Sequence, residues 1–164
     1  MNRRFVAALL VALALGLFQA GNSASLAGGA PVQASAPPSG KNTDSSDVKF
    51  ARTTFTKLAN GDQAVAGDID WEHFKASGQD IGAIYNSFHD EPNHKAFRKS
   101  FISSFSKSFR DTGARAESLK NWKVKSSNGN QTVVSGETLS KSHLLITISK
   151  KSSNKKMAGI QSGP

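Results

Sequence analysis

The amino-acid sequence predicts a single α+β domain, with N-terminal helices packed on a curved C-terminal antiparallel meander of four strands. Apolar residues between positions 48 and 109 recur at steps of three and four, the period of a helix. Beyond Gly113 this period stops, and short apolar runs alternate with turn residues, a pattern typical of strands. Runs of helices followed by runs of strands favour the α+β class, and 164 residues suit one domain.

The first 46 residues are predicted to lie outside this domain. Two arginines precede an apolar run at residues 5–18, and small residues follow, so residues 1–25 are predicted to be a secretory signal peptide. An uncleaved membrane anchor is the alternative, but the run is shorter than the roughly 20 residues that a spanning helix needs. Residues 26–46, rich in Ala, Gly, Ser and Pro, are predicted to be a disordered linker before the domain at 47–161. The predicted location is secreted or periplasmic, with no membrane span after the signal is removed.

The first two predicted helices lie between positions 47 and 78. Apolar residues at helical spacing follow Asp47, and Gly61 stands just past the end of the first helix. A second, short helix is predicted over residues 69–74, with Asp68 as its cap and Gly78 as its stop.

Two further helices are predicted before the strands. Residues 79–88 carry apolar side chains at the same spacing, as a third short helix or as a continuation of the second. A long helix is predicted from Pro92 to Gly113, with phenylalanine at every fourth position from Phe97 to Phe109. This stripe drifts round the helix, which indicates a helix that wraps a curved surface.

Four strands are predicted after Gly113. The first, at residues 119–124, leads to Asn128-Gly129, a dipeptide that favours a tight hairpin. The others are predicted at residues 132–134, 144–148 and 155–161. Short turns place consecutive strands side by side, with one face of the sheet on the helices.

This order of elements resembles the nuclear transport factor 2-like superfamily, a cystatin-like α+β cone, in its exported bacterial type. The residues that carry the resemblance are 50–61, 67–71, 121–124 and 156–160. Exported members often close on a Gly-x-Trp strand, and this chain has no tryptophan there. The superfamily includes isomerases, dehydratases and non-catalytic domains, so the resemblance implies a pocket and not a particular reaction.

The main functional prediction is an exported non-catalytic binding domain. An apolar pocket or a sheet face would take a small apolar ligand or an envelope partner protein, and a homodimer is left open. The residues predicted to bind the ligand are Trp71, Tyr85, Phe101, Phe105, Trp122 and Ile146.

The alternative of a different class is an isomerase-like or dehydratase-like enzyme. In the isomerase branch of the superfamily, a tyrosine hydroxyl polarises the substrate carbonyl opposite an aspartate, which implies Tyr85 with Asp70 or Asp80. Carboxylates near a helix start are more typical of capping, and a single tyrosine at helical spacing is more typical of a core. The enzyme hypothesis therefore requires both groups in one water-poor cavity.

Several kinds of chemistry lack support in the sequence. The absence of cysteine excludes disulfides, thiolate nucleophiles and cysteine-based zinc sites. Two histidines and two carboxylates within residues 89–94 suggest a metal site, but Pro92 interrupts them and the spacing matches no zinc motif. Neither a Gly-x-Ser-x-Gly motif nor a phosphate-binding loop is present. We therefore predict no metal and no cofactor.

Charge is distributed unequally along the chain, whose formal net charge is +9. Residues 41–94 carry five Lys and Arg against nine Asp and Glu, whereas residues 95–164 carry fourteen against three. Polyanion binding through the basic half is a third hypothesis. The residues predicted for it are Lys150, Lys151, Lys155 and Lys156. Lysines that keep a sheet edge soluble are the alternative, and nucleic acid is disfavoured because no aromatic residues are interleaved with them.

Overall fold

The computed structural model of this protein describes residues 45–151 and 154–163. The predicted signal peptide, 1–25, and nearly all of the predicted linker, 26–46, lie outside the described residues. Within the described ranges, no helix has both the length and the apolar character that crossing a membrane requires.

The described residues form three α-helices, two short 3₁₀ helices and one sheet, which confirms the α+β class. The α-helices are α1 (Ser46–Asn60), α2 (Ile81–Asn86) and α3 (Glu91–Asp111). The 3₁₀ helices are Gln63–Asp68 and Ala116–Ser118. The strands are β1 (Lys75–Ala76), β2 (Gln79–Asp80), β3 (Lys120–Ser127), β4 (Gln131–Glu137), β5 (His143–Lys151) and β6 (Asn154–Gly163).

The sheet is larger than the sequence predicts, and it is mixed. Its order is β2-β1-β6-β5-β4-β3, and β1 pairs with β6 in parallel while every other neighbouring pair is antiparallel. The sequence predicted the four strands β3 to β6 and missed β1 and β2. These two have only two residues each, which is too short to show an alternating pattern.

The two long helices begin and end where their capping residues stand. The Ser45 side chain accepts a hydrogen bond from the backbone N–H of Val48, 3.2 Å away, and Gly61 closes α1 with a φ of 76°. Asp90 caps α3 by accepting from the N–H of Asn93 at 2.8 Å. The apolar spacing predicted both helices correctly, but the cap of α1 was expected at Ser46 or Asp47 and lies at Ser45.

The predicted helix over residues 69–74 is wrong. The helical turn lies earlier, at Gln63–Asp68, where Asp62 accepts from the N–H of Ala64 at 2.9 Å. Ile69 instead bridges Met157 of β6 in parallel, and residues 71–73 form a turn. The N–H of Asp70 donates to the carbonyl of Met157 at 2.9 Å, so pairing with the sheet replaces the helical bonds here.

The third predicted helix is shorter than the sequence suggests and does not continue the second. Asp80 ends β2 and caps α2, because its carboxylate accepts from the N–H of Ala83 at 2.9 Å. Gly82 allows this short helix to pack closely, since a Cβ there would lie 2.4 Å from the carbonyl oxygen of Glu72. The backbone of α2 at Gly82 therefore packs directly on the backbone at Glu72, which fixes the segment before α2.

The core lies between the helices and one face of β3 to β6. Aromatic rings of α1, α3 and β3 meet within it, and Phe55 packs edge-on to Phe109 with ring centroids 5.5 Å apart. The ring of Trp122 lies 6.5 Å from that of Phe55 and covers Gly136. The fully buried Phe101 packs edge-on to Phe74 at 5.6 Å. Rings thus fill the space that the helices and the sheet enclose.

Candidate functional site

A cavity of about 590 Å³ lies where the 66–72 segment, α2 and α3 meet the ends of β5 and β6. We call it the ring cavity, since two stacked rings form part of its wall. Its lining includes Ile69, Asp70, Trp71, Tyr85, Arg98 and Lys156.

Trp71 is held in the cavity wall by its polar edge and by its ring. Its indole N–H donates to the carbonyl of Ala66 at 2.9 Å, which fixes the orientation of the ring. The ring stacks on that of Tyr85, with centroids 6.0 Å apart and planes at 29°. Phe101 of α3 packs edge-on against it from the core side, at 5.6 Å. Trp71 therefore gives the cavity a rigid aromatic wall.

Arg98 places a fixed positive charge beside the Tyr85 hydroxyl. Its Nη1 donates to the tyrosine oxygen at 2.8 Å, and its Nη2 bonds the carboxylate of Glu91. Burial alone would lower the pKa of Arg98, but the bonds with Glu91 and Tyr85 outweigh it and raise that pKa. His94 stacks on the tyrosine ring, with centroids 4.1 Å apart. The stacking of His94 on its ring and the hydrogen bond from Arg98 to its hydroxyl oxygen together fix the position of Tyr85.

Asp70 shares the cavity with Tyr85, but both of its oxygens already have partners. Oδ1 lies 3.0 Å from Nδ1 of His73, and Oδ2 accepts from the hydroxyl of Ser149 at 3.0 Å. These bonds tie the turn after Ile69 to β5. Asp80, the other predicted partner of Tyr85, is an exposed cap of α2 and does not line this cavity.

The six residues predicted to bind a ligand do not share one cavity. Trp71 and Tyr85 line the ring cavity, whereas Trp122 lines a groove beside α1. Phe101, Phe105 and Ile146 are buried within the core and line neither space.

The lysines predicted to bind a polyanion are largely occupied within the chain. Lys150 and Lys155 lie 2.7 and 2.5 Å from the carboxylate of Asp47. Lys156 donates to the carbonyl of Gly67 at 3.0 Å. The side chain of the fourth, Lys151, lies outside the described residues.

Asp47 is the acidic centre that holds two of these lysines. Thr132 of β4 also donates to it, at 2.9 Å. Burial by itself would raise the pKa of Asp47, but the hydrogen bonds from Lys150, Lys155 and Thr132 lower it to about 2. The carboxylate therefore stays ionised and joins α1 to the sheet.

The histidine-containing segment at residues 89–94, which leads into the first turn of α3, has a structural role in the described chain. Nε2 of His94 lies 3.2 Å from the carbonyl oxygen of Tyr85, and Asp90 caps α3. No group of three or more His, Asp or Glu side chains that could hold a metal ion occurs in residues 45–151 and 154–163.

Sequence reasoning missed Arg98, the charged residue that the structure places beside Tyr85. A signal was present, because Glu91 directly precedes the predicted long helix and lies seven residues, about two helical turns, before Arg98. Tyr85 gave no indication of its partner, since α2 and α3 are brought together only by tertiary packing.

No protein-family model, curated protein or solved structure matches this chain.

Proposed function

We propose that this protein is an exported, non-catalytic binding domain whose ring cavity takes a small ligand with an apolar body and a polar end. The observation that carries the proposal is the convergence of the Trp71 and Tyr85 rings and the Arg98 guanidinium on one cavity. Ligand sites typically combine an apolar or aromatic wall with a few fixed polar groups.

The size and charge of the cavity support this proposal. Its volume of about 590 Å³ suits a small organic molecule. Arg98 uses one nitrogen on Tyr85 and another on Glu91, and a guanidinium has five N–H donors, so further donors are available to a ligand. A carboxylate at the polar end of the ligand would suit these donors.

The hydrogen bonds within the cavity favour binding over catalysis. The Tyr85 oxygen accepts from Arg98, and the two oxygens of Asp70 are engaged by His73 and Ser149. A general base needs an oxygen directed at the substrate, whereas Asp70 joins a turn to β5. One observation favours the enzyme hypothesis, because Tyr85 and Asp70 line the same cavity.

We also propose that the domain belongs to the nuclear transport factor 2-like superfamily and that its sheet is curved. A helical N-terminal half that packs on consecutive antiparallel strands supports the resemblance to the nuclear transport factor 2-like cone. The pairing register shifts within β3 and between Thr147 and Ile148 of β5, and such irregularities bend strands. Export is supported by the signal-like pattern at 1–25, and the mass of protein recovered from the medium or periplasm would test it.

The binding site can be tested with the two tryptophans as separate reporters. Trp71 lines the ring cavity and Trp122 does not, so Trp71→Phe and Trp122→Phe assign the two indole N–H signals in a nitrogen-15 NMR spectrum. Titration with 2-naphthoate and with decanoate should shift the Trp71 signal and leave the Trp122 signal in place. Arg98→Gln should weaken this binding at least tenfold, because it removes the positive charge.

Arg110→Gln is the matched control, since Arg110 is exposed near the other end of α3. It should bind both carboxylates as the unaltered protein does. If neither carboxylate moves the Trp71 signal, or if both arginine variants bind equally, the proposed site is wrong.

A further inference from the structure

A second concave surface lies between α1 and the segment that leads into β3. We call it the α1 groove. It has a volume of about 810 Å³, and one wall is a face of α1 from Val48 to Lys57. Its apolar lining includes Val48, Leu119 and Trp122. Each of these three side chains is buried and adds only its edge to the groove.

The basic side chains around the α1 groove have few internal partners. Lys49, Arg52 and Lys120 line it and are exposed. Within the part of the chain that the structure describes, none of the three forms an ion pair or a side-chain hydrogen bond. Lys57, further along α1, is paired with Asp68 at 3.1 Å. Unlike Lys150 and Lys155, three cations here remain available to another molecule.

The dimensions of the groove suit a short extended segment. Val48 and Lys57 are nine residues apart on α1, which corresponds to about 14 Å along the helix axis. A peptide of about four extended residues covers that length. Lys49 and Arg52 are three residues apart, so they lie on one face of the helix and both can reach such a segment.

We propose that the α1 groove binds an extended segment of a partner protein in which acidic and apolar residues alternate. Carboxylates of the segment would meet Lys49, Arg52 and Lys120, while its apolar side chains would pack on the small apolar surface that Leu119 and Trp122 leave exposed. Successive side chains of an extended chain point to opposite sides, so one segment presents both kinds of group.

The groove fits such a segment better than it fits a uniform polyanion. Glu117 lines it beside the three cations, and its carboxylate repels the continuous charge of a phosphate or sulfate chain more than a segment in which uncharged residues separate the acidic ones. The same carboxylate can accept a hydrogen bond from a peptide N–H. Nucleic acid and sulfated polysaccharide carry no apolar side chains that could pack on the exposed edges of Leu119 and Trp122, whereas an alternating peptide does.

Binding can be measured by fluorescence anisotropy with a fluorescein-labelled octapeptide of alternating Glu and Leu. The full chain should bind it, and the matched peptide of alternating Gln and Leu should bind at least tenfold more weakly. The variant Lys49→Glu with Arg52→Glu should lower affinity for the acidic peptide at least tenfold. Raising the salt concentration should weaken binding, since the contacts are between exposed charges.

The matched control is Lys95→Glu with Lys99→Glu, which changes the net charge equally on the exposed face of α3. It should retain the affinity of the unaltered protein within about threefold. Equal losses in both variants would overturn the proposal, because binding would then depend on overall charge alone. A labelled oligothymidylate that binds more tightly than the peptide, with loss in the α1 variant only, would also overturn it in favour of a polyanion.

Discussion

Asp47 shows how one residue joins elements far apart in the chain. In the sequence it is an acidic residue in the first turn of a predicted helix, where it suits the helix dipole. In the structure its carboxylate also forms ion pairs with Lys150 of β5 and Lys155 of β6, and it accepts a hydrogen bond from Thr132 of β4. The two lysines predicted for a polyanion therefore stabilise the contact between α1 and the sheet.

We predict that Asp47→Asn lowers the free energy of unfolding by about 2 kcal/mol at neutral pH. The pKa of Asp47 falls from 3.8 to about 2 on folding, and a difference of one pKa unit corresponds to about 1.4 kcal/mol. A lowered pKa in the folded state stabilises the protein above pH 3.8, and this contribution is lost as the pH falls from about 4 to 2. Urea unfolding from pH 7 to pH 2 measures it.

The stability curves of the unaltered protein and of the Asp47→Asn variant should converge as the pH approaches 2. Glu72→Gln is the control, because the Glu72 side chain is exposed and forms no ion pair or hydrogen bond within the described chain. A constant difference at every pH would show that charge on Asp47 does not stabilise the fold.

At the scale of an element, α3 is the helix on which both the core and the ring cavity depend. Its inner face carries Phe97, Phe101, Phe105 and Phe109, and the rings stack along the helix with centroids 6.2 to 6.3 Å apart. Its N-terminal part carries Arg98 into the ring cavity. Packing of the phenylalanines therefore sets the position of the charged residue.

We predict that Phe101→Ala lowers the free energy of unfolding by roughly 3–5 kcal/mol, the range found for removal of a fully buried ring. Phe101 also packs on Trp71, so the Trp71 indole signal should broaden or move. Urea unfolding and the NMR spectrum measure the two effects. Ser100→Ala, an exposed substitution on the same helix, should change stability by less than about 0.5 kcal/mol.

The short helix α2 depends on close backbone packing. We predict that Gly82→Ala destabilises the protein by about 1–3 kcal/mol although alanine favours helices, because the new Cβ would lie 2.4 Å from the carbonyl oxygen of Glu72. Gly67→Ala is the control, since no atom lies within 4 Å of a Cβ there. Thermal unfolding of both variants measures the difference, and equal melting temperatures would contradict this account.

At the scale of the whole molecule, the acidic and basic halves of the chain are joined to each other. Asp47 holds lysines of β5 and β6, and Lys156 of β6 bonds the carbonyl of Gly67. β1 also pairs with β6, which connects the middle of the chain to its last strand. The described residues, 45–151 and 154–163, therefore contain the contacts expected of one cooperative unit.

We predict that a protein of residues 45–164 unfolds in one cooperative thermal transition, with an enthalpy of about 80 kcal/mol for a domain of this size. Circular dichroism in the far and near ultraviolet should give the same midpoint, because helices and aromatic packing are lost together. Two separate midpoints would show that the domain does not unfold as one cooperative unit, and the absence of a near-ultraviolet signal would show that residues before 45 are needed for the fold.

The prediction from sequence worked where the signal is local. The apolar spacing of α1, the glycine at 61 and the phenylalanine spacing of α3 each depend on neighbours within a few residues, so both long helices were placed well. The cap of α1 was expected one or two residues late, because Ser45 is followed by Ser46 and Asp47, which also suit a cap. It failed at residues 69–74, where an apparent cap and apolar spacing suggested a helix. There the backbone bonds to Met157, a partner that no local pattern reveals.

The sequence by itself determined the α+β class, helices α1 and α3 and the four strands from β3 to β6. Hydrophobic periodicity and turn residues are local patterns, which residues near one another in the sequence define. Only the tertiary structure decided that β1 joins β6 in parallel, that Arg98 meets Tyr85, and that lysines of the last hairpin bind Asp47. These contacts join distant parts of the chain. They depend on how the helices close over the sheet, which local patterns do not encode.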